Sequence, residues 1–125
     1  MSRSLSLILP FPPSVNACWR NINGKTLISA KGRAFRVNAM ASIYTQLRKR
    51  PSAITDLVTV TVKMHPPSKR RMDTDNYLKA PFDALTHAGV WKDDAQVKRV
   101  EIEWGEVVKG GRFEITITPH ESAGE

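Results

Sequence analysis

The chain has 125 residues, 41% hydrophobic and 25% charged, and carries 19 lysines and arginines against 12 aspartates and glutamates for a formal net charge of +7. This suits one domain over residues 1–125, large enough to bury a core without covalent staples, and the single cysteine, Cys18, excludes an internal disulfide and any cysteine-based zinc site. The cationic excess favours a polyanionic partner, nucleic acid ahead of a membrane: no basic amphipathic helix stands out, and no apolar run nears the ~18 residues of a transmembrane span.

Ser4 to Leu9 alternates as S-L-S-L-I-L, and Pro10, Pro12 and Pro13 follow. The run therefore reads as a first strand rather than a signal peptide, which with the lone cysteine implies a reduced, cytoplasmic protein. In "WRNINGKTLI", Asn23-Gly24 is a favoured tight-turn centre between two short apolar arms. Ser29 is placed to cap a helix from Ala30 to Arg48, with Phe35, Met40, Ile43 and Leu47 at helical spacing. Arg48, Lys49 and Arg50 at its end suit the helix dipole.

Leu57 to Met64 is the clearest strand, with Val58, Val60, Val62 and Met64 on one face and Thr59, Thr61 and Lys63 on the other. A proline-rich, charged loop, "HPPSKRR", leads to a second helix expected from Thr74 to Ala88 and stopped by Gly89, with Leu78, Phe82 and Leu85 as its apolar stripe. Pro81 falls inside that span and predicts a bend. Val97–Val107 and Phe113–Ile117 read as two further strands joined through Lys109-Gly110-Gly111, before a polar tail from Pro119 that is expected to fray. The order β, hairpin, α, β, α, β, β describes an α+β fold, a small mixed sheet with two helices packed on it.

The chemistry concentrates in "KRRMDTDNYLK", Lys69 to Lys79. Two carboxylates about 4 Å apart repel by roughly 4 kcal/mol at an effective dielectric near 20. Asp73 as a plain helix cap accounts for one of them and leaves Asp75 unexplained, as well as the second acidic pair, Asp93-Asp94. If Asp73, Asp75 and one of that pair meet, they form a hard oxygen site suited to Mg²⁺ or Mn²⁺. Lys79, one helical turn beyond Asp75, then either pairs with it or stabilises charge developing on a phosphodiester. Lys69, Arg70 and Arg71 are the best phosphate contacts, with Lys63 a further candidate; a solvated loop is the plain alternative for each. Trp19, Trp91 and Trp104 fit burial, full or partial, better than base stacking, and His65, His87 and His120 have no zinc spacing. No nucleotide-binding loop is present.

"DTDNYLKAPFDALTHAGVWKDDAQV" closely resembles the motif core of the RusA family of Holliday-junction resolvases, whose pattern D-x-D-N-x-x-K, D-A-L, W-x-D-D-x-Q is met at every specified position. "LPFPPSVN", "LISAKGRAF" and "KGGRFEITI" extend the resemblance over nearly the whole chain. Met72 departs from it, standing where the family runs basic residues up to the first aspartate. The resemblance implies Asp73, Asp75 and Asp94 as catalytic metal ligands, Lys79 as the catalytic lysine, Asn76 as a supporting residue of the DNA site and Asp83 as a structural partner. It also implies a Mg²⁺-dependent endonuclease of bacterial or phage origin, acting on a four-way DNA junction to leave 5′-phosphates and 3′-hydroxyls; the near-twofold symmetry of such a junction leads to the expectation of a homodimer with one site for each of two opposed strands. The alternatives are a non-catalytic DNA-binding protein of the same fold, or a nuclease that cuts flaps or forks.

Overall fold

Strict alternation of apolar and polar residues in the long strands decides how the sheet is covered. The computed structural model describes residues 4–121, apart from the Asp75 side chain. Strands β1 (Leu5–Leu9), β4 (Val58–His65), β5 (Val97–Trp104) and β6 (Arg112–Pro119) form a four-stranded sheet in the order β1-β6-β4-β5. β6 is antiparallel to both its neighbours, whereas β4 and β5 are parallel. The register aligns Leu7 with Ile115 and Ile115 with Val62, and likewise Leu9 with Phe113 and Phe113 with Met64. These side chains are all buried and make one apolar face. Ser6, Thr116, Thr61 and Glu101 align across the other, polar face.

Helices α2 (Ala30–Leu47) and α3 (Lys79–Ala88) contribute Phe35, Ala39, Ile43, Ala84 and Leu85 to the core against that apolar face. Ser29 caps α2 by accepting from the Gly32 N–H at 3.0 Å, and Arg48 ends it in the left-handed region. A separate hairpin, β2 (Trp19–Ile22) and β3 (Lys25–Ile28), turns at Asn23 and Gly24, both with positive φ as a tight two-residue turn requires. Both β1 and β5 are edge strands, but β1 is blunted: Gln46 on α2 donates to the Ile8 carbonyl at 2.6 Å and accepts from its N–H at 2.8 Å, as a neighbouring strand would. Among the described residues no helix is long and apolar enough to cross a membrane.

Four local expectations are corrected. A short helix, α1 (Val15–Cys18), stands before the hairpin where the sequence showed only a proline-rich connection; Ser14 caps it. The second long helix starts at Lys79 instead of Thr74. Thr74–Asn76 is a separate 3₁₀ turn, and Tyr77 breaks the path between them with φ −121° and ψ 5°. Pro81 therefore lies in the first turn of α3, where its missing N–H removes no intrahelical bond and imposes no bend. The apolar stripe shifts accordingly: Ala80, Pro81, Ala84, Leu85 and Ala88 are buried, while Leu78 and Phe82 are only partly so.

The fourth correction concerns the last strands. β5 stops at Trp104, just before Gly105, where an added Cβ would lie 2.5 Å from the His65 ring, while β6 runs longer than expected, from Arg112 to Pro119. The tail begins pinned: the His120 N–H donates to the Leu57 carbonyl at 2.9 Å, and its ring nitrogen lies 3.0 Å from Thr59 Oγ1. Its end, residues 122–125, lies outside the described residues.

Close approach of α1 to the start of α2 generates a test. A Cβ on Gly32 would lie 2.6 Å from both the Cys18 carbonyl oxygen and its Sγ. Gly32→Ala should cost about 1–3 kcal/mol through overpacking, read as a lower urea midpoint at unchanged slope; an unshifted midpoint would show that this seam yields freely.

Candidate active site

The crossover from β4 to β5 carries every acidic candidate. At the carboxyl end of β4 the chain leaves the sheet through a loop whose Lys69, Arg70 and Arg71 are exposed. Together with Pro66, Ser68, Met72 and Trp104 these residues line a shallow groove. The loop is tied back by aromatic packing. Phe11, Tyr77 and Trp104 have ring centroids 5.5 to 6.4 Å apart, and Trp104 Nε1 donates to Thr74 Oγ1 at 2.8 Å. Gly111 makes room for this cluster, since a Cβ there would lie 2.5 Å from Phe11 Cβ.

Asp73 precedes the 3₁₀ turn in the position of a cap, and its carbonyl accepts from the Asn76 N–H at 3.2 Å. Its side chain makes no capping bond and is exposed, so the plain helix-cap account does not describe this carboxylate. Asn76 is half-buried in the same turn. Asp75 belongs to the turn through its backbone, and its side chain lies outside the described residues. The expected sharing of one helical face by Asp75 and Lys79 is corrected: the 3₁₀ turn and Tyr77 stand between them.

Lys79 opens α3 and lies over the Trp19 ring, with Nζ 4.5 Å from the ring centroid. One turn further on, Asp83 is engaged structurally. Arg36 of α2 donates to Asp83 Oδ2 from Nε at 3.0 Å and from Nη2 at 2.8 Å, while His87 Nε2 lies 3.6 Å from Oδ1. The Cys18 thiol is next to this group. Burial and the charge of Asp83 push its pKa up, while Arg36 and Lys79 act in the opposite direction.

The two members of the second acidic pair have different tasks. Asp93 caps a 3₁₀ turn, Asp94–Gln96: its Oδ1 accepts from the Ala95 N–H at 2.9 Å, and the Gln96 side chain returns to the Asp93 N–H at 2.9 Å. Gln96 also donates to the Ile54 and Asp56 carbonyls, both at 2.8 Å, which anchors the turn to the loop before β4. Trp91, wholly buried, donates to Thr86 Oγ1 at 2.7 Å and packs edge-on against Phe82. This framework leaves Asp94 at the head of its turn. Partial burial of its carboxyl raises its pKa, reinforced by a hydrogen bond to Asp93 and the negative charges of Asp93 and Asp83; Lys79 opposes the rise.

The structure thus gathers Lys79, Asp83 and Asp94 into one electrostatic neighbourhood. Among the described residues, which leave out the Asp75 side chain, no three His, Cys, Asp or Glu side chains converge on a metal position. Asp73 follows the carboxyl end of β4, whereas Asp94 precedes the amino end of its parallel neighbour β5, with α3 between them. The donors are nonetheless of the right kind for a hard cation. Asp73 is exposed and not used as a cap, and Asp94 is an anion crowded by other anions. Lys63 lies in register between Glu103 and Glu114 on the polar face, which gives it a place within the sheet.

Two participants were not foreseen. Arg36 was legible only as one cation among several on α2, because its partner lies 47 residues away. Trp19 had one available signal, an aromatic ring just before the Asn23-Gly24 turn, but nothing local aims it at Lys79.

The model of the family described as endodeoxyribonuclease RusA matches residues 10–118. Among curated relatives, the crossover junction endodeoxyribonuclease RusA of Shigella sonnei (strain Ss046) is 45% identical over 113 residues, covering 90% of this chain and 92% of the relative. The protein of that name from Escherichia coli (strain K12) is 44% identical over the same coverage, and that of Enterobacteria phage 82 is 45% identical over 112 residues. With the match running from the end of β1 into β6 through the entire acidic crossover, the chain belongs to the RusA family of endodeoxyribonucleases.

Proposed function

We propose that this protein is a metal-dependent endodeoxyribonuclease of the cytoplasm that resolves four-way DNA junctions by paired nicks. The observation that carries the reading is the full motif of three carboxylates and a lysine, Asp73, Asp75, Asp94 and Lys79, in a chain 45% identical over 90% of its length to a crossover junction endodeoxyribonuclease. A protein that only bound DNA would gain from losing those negative charges beside its cationic loop.

Asp73, Asp75 and Asp94 would hold Mg²⁺, with Mn²⁺ as a substitute. Once bound, the ion supplies positive charge at the scissile phosphate and lowers the pKa of water there. Lys79 places an ammonium where charge accumulates on the phosphoryl oxygens. Lys69, Arg70 and Arg71 hold backbone phosphates from the loop, and Asn76 supports the same surface. Hydrolysis adds water oxygen to phosphorus and returns the 3′ oxygen as a hydroxyl, leaving a 5′-phosphate. A four-way junction has near-twofold symmetry, so a homodimer supplies one site to each of two opposed strands.

The decisive experiment is nicking of a synthetic four-way junction beside a matched linear duplex, with Mg²⁺ and with chelator. Cleavage confined to the junction with Mg²⁺ is expected; equal cutting of both substrates would remove the junction specificity. Asp75→Asn should abolish cleavage while junction binding persists or tightens, since it removes both a ligand and a negative charge near phosphate. Full Mg²⁺-dependent activity in that variant would sink the metal assignment.

Replacing Arg70 and Arg71 together by Ala should flatten the plot of log affinity against log salt by about two units if each touches one phosphate. An unchanged slope would return the loop to a solvated charge run.

A further inference from the structure

We propose that Trp19 is a positioning residue for Lys79, its indole face holding the ammonium in place for catalysis without neutralising it. This rests on the assignment of Lys79 to charge stabilisation above. The observation is the 4.5 Å separation between Nζ and the ring centroid, well inside the range of a cation–π contact.

Three features make the contact more than an incidental approach. The first is the location of Lys79. As the first residue of α3 it places a cation where the helix dipole disfavours one, and a ring face offsets that penalty. The second is competition. Asp83 and Asp94 share the neighbourhood, and an ammonium drawn into an ion pair with either would have less charge to offer a phosphate. A ring face accepts no conventional hydrogen bond and does not titrate, so the N–H groups remain available to phosphoryl oxygens.

The third feature is the rigidity of the platform. The Trp19 N–H bonds the Val15 carbonyl, closing α1, and Trp19 pairs with Ile28 across the hairpin. Ser29 then clamps α1: its Oγ donates to the Ala17 carbonyl at 2.6 Å and its N–H to the Cys18 carbonyl at 2.8 Å. Gly32 closes against the same Cys18 carbonyl with no room for a Cβ. A ring mounted on this framework defines a fixed position for the flexible lysine that reaches it, and pre-positioned charge is what transition-state stabilisation requires.

The test compares Trp19→Leu, Trp19→Phe and Lys79→Ala in single-turnover cleavage of a four-way junction, with junction affinity measured separately. Trp19→Leu should slow cleavage about 5- to 30-fold, the range that a partly to fully desolvated cation–π contact implies, with affinity unchanged within about twofold. Trp19→Phe, which keeps a weaker ring face, should fall between it and the native protein, and it carries the comparison if leucine destabilises the hairpin. In the free native protein the Lys79 side-chain methylene protons should show an upfield ring-current shift that Trp19→Leu abolishes. Native-rate cleavage by both Trp19 variants, or no ring-current shift in the native protein, would overturn the proposal. Weakened junction affinity at an unchanged rate would also overturn it, and would make the ring a base-stacking surface. Native-rate cleavage by Lys79→Ala would instead defeat the catalytic reading of Lys79 itself, whatever Trp19 does.

Discussion

The hydrogen bond from Trp104 to Thr74, with the ring cluster around it, is the constraint on which the candidate site depends. The chain from Lys69 to Asp75 is highly charged and contributes no buried apolar side chain, so it has little tendency to order itself. Its order is borrowed from Trp104 at the end of β5 and Phe11 just after β1, which meet Tyr77 immediately beyond the 3₁₀ turn. A hydrogen bond of this kind contributes about 1 kcal/mol and each aromatic pair about 0.5–1.5 kcal/mol beyond its buried area. Modest as they are, these contacts join the acidic turn to strands that are themselves held by the core.

Charge is distributed by the same logic. Some cations are paired with anions: Arg36 with Asp83 between the two long helices, and Arg99 with Glu101 at 3.0 Å on the exposed edge strand. Lys69, Arg70 and Arg71 form no ion pair among the described residues, and Lys79 lies against the Trp19 ring. Carboxylates divide likewise, with Asp83 and Asp93 occupied by a guanidinium and a capping box while Asp73 is left exposed and Asp94 heads its turn among other anions. Such partition is expected where unpaired charge is held ready for a ligand, because each uncompensated group costs stability and pairing would reduce its attraction for phosphate or cation.

Much of this was legible locally. Period-two alternation in Ser4–Leu9 and Leu57–Met64 identified β1, β4 and the buried face of each, because side-chain direction in a strand follows sequence parity. Ser29 and Asn23-Gly24 announced the α2 cap and the hairpin turn for equally local reasons, a side-chain oxygen in reach of free N–H groups and two residues tolerant of positive φ. The start of α3 was misplaced because Thr74–Asn76 satisfies helix-start chemistry, whereas the break at Tyr77 sits in packing against Phe11, 66 positions earlier in the chain. The short α1 was missed since four residues carry too little periodicity to register.

By itself the sequence determined the α+β class, the principal strands and helices, the family, and the residues of the candidate site, all of which follow from spacing between near neighbours or from a motif read in order. Only the tertiary structure decided the strand order β1-β6-β4-β5, the anchoring of the Asp94–Gln96 turn to the Ile54 and Asp56 carbonyls, the engagement of Asp83 by Arg36 and the seating of Lys79 on Trp19. The physical reason is common to all four. Each depends on which distant segments share the apolar face of the sheet, and two residues 47 or 60 positions apart leave no local trace of their contact until the core has brought them together.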